Sequence, residues 1–338
     1  MYKSTIRYLQ KLSSLKLSFV GMASLLTGVL LSYFDQDKSV MWIAIPLLVL
    51  AINLLAAIVY NPRIRQNSGL LMFHICLLAL ALLASLSQLT NMKARVEIVQ
   101  GQVFDSELMT IVQQGPWHSI ERLQKIRFEQ GDIVVEYAPG LRRGKTKSQL
   151  VNDNGTMTIG DNIGFKDSGY RFYTTSNKGY AAMLAWHSED GQDIHGAIHF
   201  PSFPLYDWKQ ENQWTTPTGQ LLKMNFVSVI QSDPDSSWDL NSRDAKGSLL
   251  IELANGLQQT LSAGQRIQLD GGELEFVAVR MWMGYSIFYN PWLAWFFAAA
   301  IVGVLGLAWH FYLKLGALSC QQPRAQLSAR RGRAVPTV

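Results

Sequence analysis

A chain of 338 residues has room for two ordinary domains, but its apolar residues are bunched into three long runs before residue 90 and one after residue 290. The formal net charge of +5 invites a nucleic-acid reading until it is divided along the chain. Residues 90–290 hold 18 basic and 23 acidic side chains, so the positive excess lies in residues 1–16, 61–69 and 314–338, and nucleic acid drops out as a partner.

Residues 1–16 form a basic N-terminus with Ile6, Leu9 and Leu12 at helical spacing, which suits a short interfacial helix. A secretory signal is the rival reading, because Lys3, Arg7, Lys11 and Lys16 precede an apolar run. That run is long, lacks a small-x-small cleavage site and is followed closely by another span, so a retained helix is expected. Three spans follow within residues 17–89: Leu17 to Phe34, Val40 to Tyr60 and Leu70 to Leu89. Gly21, Ser24 and Gly28 share one face of the first and read either as a helix-packing surface or as ordinary span composition.

The third span carries an ionisable side chain, His74, on a small and polar stripe with Ala81, Ser85 and Gln88. The fourth span, residues 291–313, carries His310 on a stripe with Ala299, Gly303 and Gly306. Measured from the helix edges, the two histidines are expected at matching depth. Neutral imidazoles so placed can ligate one haem iron from both sides, or each can pair with a partner subunit's ligand. The plainer reading is a hydrogen-bonded packing role, with His310 sitting among interfacial aromatics.

Residues 90–288 between these spans read as β-rich and sandwich-like. Hairpins are expected over Arg127 to Tyr137, closed at Gln130-Gly131-Asp132, over Gln149 to Ile159, and over Leu249 to Leu261 at Asn255-Gly256. Further strands are expected at Val96 to Val99, Tyr170 to Thr174, Ala181 to His187, His195 to Phe200, Leu222 to Ile230 and Glu273 to Val279. The run Phe200 to Trp208, with two prolines, is expected to be an aromatic loop at the surface or against the membrane. Alternation puts His195 and His199 on one strand face near His187, yet no zinc-type spacing is complete, and a solvated or hydrogen-bonded pair is the expectation. His118 reads as a loop residue. The cysteines, Cys76 and Cys320, both fall outside residues 90–288, so no disulfide is expected there. No Cys-x-x-Cys-His, Gly-x-Ser-x-Gly, Walker or dinucleotide glycine pattern occurs. After residue 314 a basic, disordered tail is expected, attracted to anionic membrane lipid at most.

This layout, three spans, a large β-rich domain and a last span with a histidine early in span three, resembles the ResB family of system II cytochrome c biogenesis. Leu12-Ser13-Ser14-Leu15-Lys16-Leu17, Tyr170-Arg171-Phe172-Tyr173, Tyr285, Asn290-Pro291, Gly303 and Gly306 carry the local likeness, which covers nearly the whole chain. The resemblance implies a membrane assembly factor for c-type cytochromes that acts with a CcsA/ResC-like membrane protein to deliver haem to apocytochrome c. It implies that His74 is an axial ligand of a b-type, transiently held haem, with the synthase activity belonging to the complex. Trp292 stands where the family commonly has glycine, and the partner's tryptophan-rich pattern is missing. Charge asymmetry puts both termini in the cytoplasm of a bacterial inner membrane and residues 90–288 in the periplasm. Two rivals stand beside this reading: a membrane-anchored periplasmic binding or sensor protein, and an outer-domain metal enzyme using His195 and His199.

Overall fold

The computed structural model of the protein describes residues 11–34, 40–230, 233, 235–253 and 256–330, with side chains described as far as Gly316. It contains four helices long and apolar enough to cross a membrane: α1 (Leu15–Phe34), α2 (Met41–Tyr60), α3 (Ser68–Thr90) and α4 (Leu293–Arg330). The chain divides into two compact units. One holds the helices together with Gln113–His118, and the other holds Met92–Val112 and Ser119–Tyr289. Of the expected interfacial helix, residues 1–10 lie outside the described residues, and Lys11 and Leu12 are helical.

In the helical unit, neighbours in sequence pack on one another through small residues. Gly21 and Gly28 are buried in α1, where an added Cβ at Gly21 would lie 2.6 Å from Leu50 and one at Gly28 would overlap the Trp42 carbonyl. The first-span stripe is therefore a packing face against α2. Ser85 of α3 donates to the Ala44 carbonyl of α2 at 3.3 Å. Asn61 caps a single turn, Pro62–Arg65, and Asn67 caps α3 by accepting from the Leu70 N–H at 3.2 Å. At the other end of α3, the Gly115, Trp117 and His118 segment donates to the carbonyls of Asn91, Leu89 and Thr90, groups a helix terminus leaves orphaned. His118 is thus more than a loop residue, and burial holds its imidazole pKa below the usual value. α4 begins at a cap in which Asn290 accepts from the Trp292 N–H, while the Trp292 indole donates to Thr90 Oγ1 at 2.9 Å. Trp292 is tied to α3 by this bond. The backbone of α4 remains helical to Arg330, where irregular chain was expected.

In the other unit the strands are β1 (Met92–Val99), β2 (Thr110–Gln114), β3 (Glu129–Ala138), β4 (Arg142–Asn152), β5 (Gly155–Gly160), β6 (Phe165–Asp167), β7 (Tyr170–Ser188) and β8 (Asp193–His199). They continue with β9 (Glu211–Thr215), β10 (Leu221–Ser228), β11 (Trp238–Asn241), β12 (Gly247–Glu252), β13 (Gln258–Ser262), β14 (Gln265–Leu269) and β15 (Gly272–Tyr289). They form three sheets: a seven-stranded sheet along the path β2-β1-β15-β7-β6 with β14 and β8 alongside, and two four-stranded sheets, β13-β12-β10-β9 and β11-β3-β4-β5. One contiguous core, including Phe128, Phe172, Trp186, Leu249 and Phe276, is shared by all three. The domain is β-rich as expected, with three sheets in place of a two-sheet sandwich. β1 and β15, the first and last strands, pair from Met92 opposite Tyr289, so the chain enters and leaves this unit side by side.

Two expectations need correction. The run Arg127 to Tyr137 is no hairpin, because Gln130-Gly131-Asp132 is a bulge within β3, which pairs with β4 throughout. Tyr170 to Thr174 and Ala181 to His187 belong to one 19-residue strand, β7, because after a bulge at 175–177 the residues Lys178, Gly179 and Tyr180 pair with β15 again. The hairpins at Asp153-Asn154 and Gly256 are present, each with a glycine at positive φ, although Asn255 lies outside the described residues. The Phe200 to Trp208 loop buries Phe200 and Phe203 in the core and exposes Leu205 and Trp208.

Candidate functional site

Of the two intramembrane histidines, His74 is half-buried and its Nδ1 lies 2.7 Å from the Leu70 carbonyl one turn back. A carbonyl only accepts, so Nδ1 carries a proton, and in the neutral tautomer that bond selects the lone pair is on Nε2. This is the arrangement by which a backbone carbonyl orients a metal-ligating imidazole, and it fits a haem iron held through Nε2. His310 is half-buried with an Nδ1 that has no hydrogen-bond partner among the described residues.

The two do not share a face or a level. α4 meets α3 where Gly69 abuts the His310 backbone, Gly306 abuts Met72 and Phe73, and Gly303 abuts Cys76. The Ala299, Gly303, Gly306 and His310 stripe is thus the face that α3 packs on. His74 is five residues beyond Gly69, which turns it about 140° around α3 and carries it about 7.5 Å along the axis. It lies within about 20° of Ser85, on the side that bonds to α2. The expected matching depth fails because it was reckoned from the helix edges, whereas glycine notches set how far α4 slides along α3. Each imidazole is left to work with a different neighbour. An apolar groove of about 590 Å³ between α3 and α4 is lined by Ile75, Cys76, Leu82, Trp292, Trp295 and Val302, and neither histidine lines it.

In the β unit, His187 bonds Asp193 through Nδ1 at 2.9 Å and Glu275 through Nε2 at 3.2 Å. His199 bonds Glu97 at 3.1 Å and stacks on Trp282, and His195 is exposed. These three histidines do not converge, and among the described residues no three histidine, cysteine, aspartate or glutamate side chains gather to hold a metal ion. The hydrogen bonds that Asp193, and then Glu275, accept from the ring raise the His187 pKa. A raised folded-state pKa contributes stability that is fully present below the unfolded value of about 6.5 and is lost as pH climbs through the folded value. The melting temperature of His187→Gln should therefore fall below wild type at acidic pH, with the gap closing as pH rises. A gap independent of pH would show that the charge plays no part.

Polar groups buried by the fold escape the sequence reading. Tyr285 donates to Gln130 Oε1, Gln130 Nε2 donates to Ser148 Oγ at 2.8 Å, and Ser148 lies 2.6 Å from the Tyr285 hydroxyl, closing a buried ring. Asn53, 4% exposed in α2, accepts from Ser18 and donates to the Leu12 and Ser14 carbonyls. An asparagine in a leucine-rich span was the available signal. Lys178 is buried over the Tyr137 ring, and burial first, then Arg143, pushes its amine down to about 8. In comparisons with protein-family models and with characterised proteins, no match to this chain was found.

Proposed function

We propose that this chain is a bacterial inner-membrane assembly factor for c-type cytochromes, with both termini in the cytoplasm and the β unit in the periplasm. It acts with a CcsA/ResC-like membrane protein and apocytochrome c, in the manner that the ResB-like layout implies. His74 supplies one axial imidazole to a b-type haem, the second ligand comes from the partner, and the β unit positions the partner and the apocytochrome. The observation that carries the reading is the His74 hydrogen bond to Leu70, which uses Nδ1 and so leaves Nε2 as the nitrogen whose lone pair a neutral imidazole would offer to iron, a ligand that adds no buried charge to an apolar span. His310, on a different face, acts as a neighbour within the α3–α4 contact.

The test is an absorption spectrum of the full chain purified in detergent with its CcsA-like partner. Wild type should show a reduced b-type spectrum that His74→Ala abolishes and added imidazole restores, while His310→Ala retains it. Full haem retention in His74→Ala would overturn the ligand assignment. A second reading, a membrane-anchored periplasmic binding protein, draws support from a cleft of about 600 Å³ lined by Arg95, Glu97, Gln102, Asn177 and His199. It gains if the chain never carries haem.

A further inference from the structure

Alternation along β1 sends Met92, Ala94, Val96 and Ile98 into the core and leaves Lys93, Arg95 and Glu97 on the opposite face of the seven-stranded sheet. The register then lines up cations from other strands on that same face. Lys93 lies opposite Phe288, Phe288 opposite Arg171, and Arg171 opposite Lys166, one row across β1, β15, β7 and β6. The next row on this face is Arg95, Ser286 and Tyr173. Aromatic rings sit between the charges: Lys93 Nζ is 5.5 Å from the Phe288 ring centre, and the Tyr173 and Phe288 rings are 6.0 Å apart.

Lys93, Arg95, Lys166 and Arg171 carry no salt bridge to the described residues. The carboxylate that β1 places on this face, Glu97, is engaged by His199. Four uncompensated cations on one face of a region whose side chains are acidic overall mark a surface shaped for anions, since like charges this close repel unless something neutralises them. The chain itself limits where that surface can go. Lys93 is three residues beyond the end of α3, at most about 11 Å of chain, and Phe288 is five residues before the start of α4. Lysine and arginine beside tyrosine and phenylalanine is the composition that sits at a headgroup layer, where rings take the interface and cations take phosphates.

We infer that this face of the seven-stranded sheet docks on the anionic phospholipid headgroups of the membrane that the four helices span, with Lys93, Arg95, Lys166 and Arg171 binding the phosphates. The inference rests on the membrane assignment of the helices and is independent of haem. The test uses the full chain bearing Ser286→Cys in a Cys320→Ser background, labelled at the new thiol with an environment-sensitive fluorophore. The labelled protein, corrected for the label taken up at Cys76 by the same Cys320→Ser chain without Ser286→Cys, is placed in phosphatidylcholine nanodiscs with or without phosphatidylglycerol. Phosphatidylglycerol should shift the emission to the blue, and added salt should reverse the shift. Lys93→Gln/Arg95→Gln and Lys166→Gln/Arg171→Gln, two pairs on different strands, should each weaken the response about 25-fold, about fivefold for each cation. Identical emission in both lipids, or a shift that survives both double variants in folded protein, overturns the inference.

Discussion

Phe128→Ala should cost about 3–5 kcal/mol of stability, read as a fall in the denaturant midpoint and melting temperature of the full chain in detergent. Phe128 is 2% exposed and stacks on Phe104 with ring centres 5.2 Å apart, while Phe165, Phe172 and Tyr285 meet it edge to face with centres at 5.4, 5.4 and 6.4 Å. Removing the ring leaves a cavity lined by other rings, which cannot collapse to fill it because β-sheet backbones fix their positions. Phe128→Leu keeps most of the volume and should lose less than half as much. Val277→Ala, at an exposed position of β15, should stay within about 0.5 kcal/mol. Should Phe128→Ala behave like Val277→Ala, the shared aromatic core is misassigned.

Gly69→Val should separate α3 from α4. An added Cβ at Gly69 would stand 2.6 Å from the His310 amide nitrogen, 2.8 Å from the Gly306 carbonyl oxygen and 2.9 Å from the His310 Cα. These are backbone atoms, so no rotamer change relieves the overlap and one helix must move. The expected cost is at least about 1–3 kcal/mol, seen as early melting of the helical unit in detergent. Gly316→Val is the control, because nothing lies within 4 Å of the corresponding Cβ. Equal melting of the two variants would remove the close crossing, and with it the argument that His310 is committed to the α3–α4 contact.

Composition was enough to place the four spans, because a helix that crosses hydrocarbon needs about 20 consecutive apolar residues, and the structure keeps each within two residues of the expected start. His74 was legible for the same reason: one ionisable residue among leucines stands out whatever the fold. The hairpins at Gly155 and Gly256 were legible too, since a turn with positive φ selects glycine locally. Gln130-Gly131-Asp132 misled by the same logic. Its glycine serves a bulge, where an added Cβ would stand 3.0 Å from Gln149 Cβ across the sheet, and no local signal separates a bulge from a turn.

Length, apolar runs and turn residues thus determined the class of the protein by themselves: four spans with a β-rich insertion before the last. Only tertiary structure decided which residues meet. Register put Lys93 in one row with Arg171 and Lys166, although more than 70 positions separate it from either. The buried ring of Tyr285, Gln130 and Ser148 joins strands of two different sheets, and glycine notches rather than span edges set His310 against Gly69 and away from His74. The physical reason is common to all three. Periodicity fixes a side chain's face on its own element, whereas contacts between elements depend on register and on close backbone approach, which the fold settles as a whole.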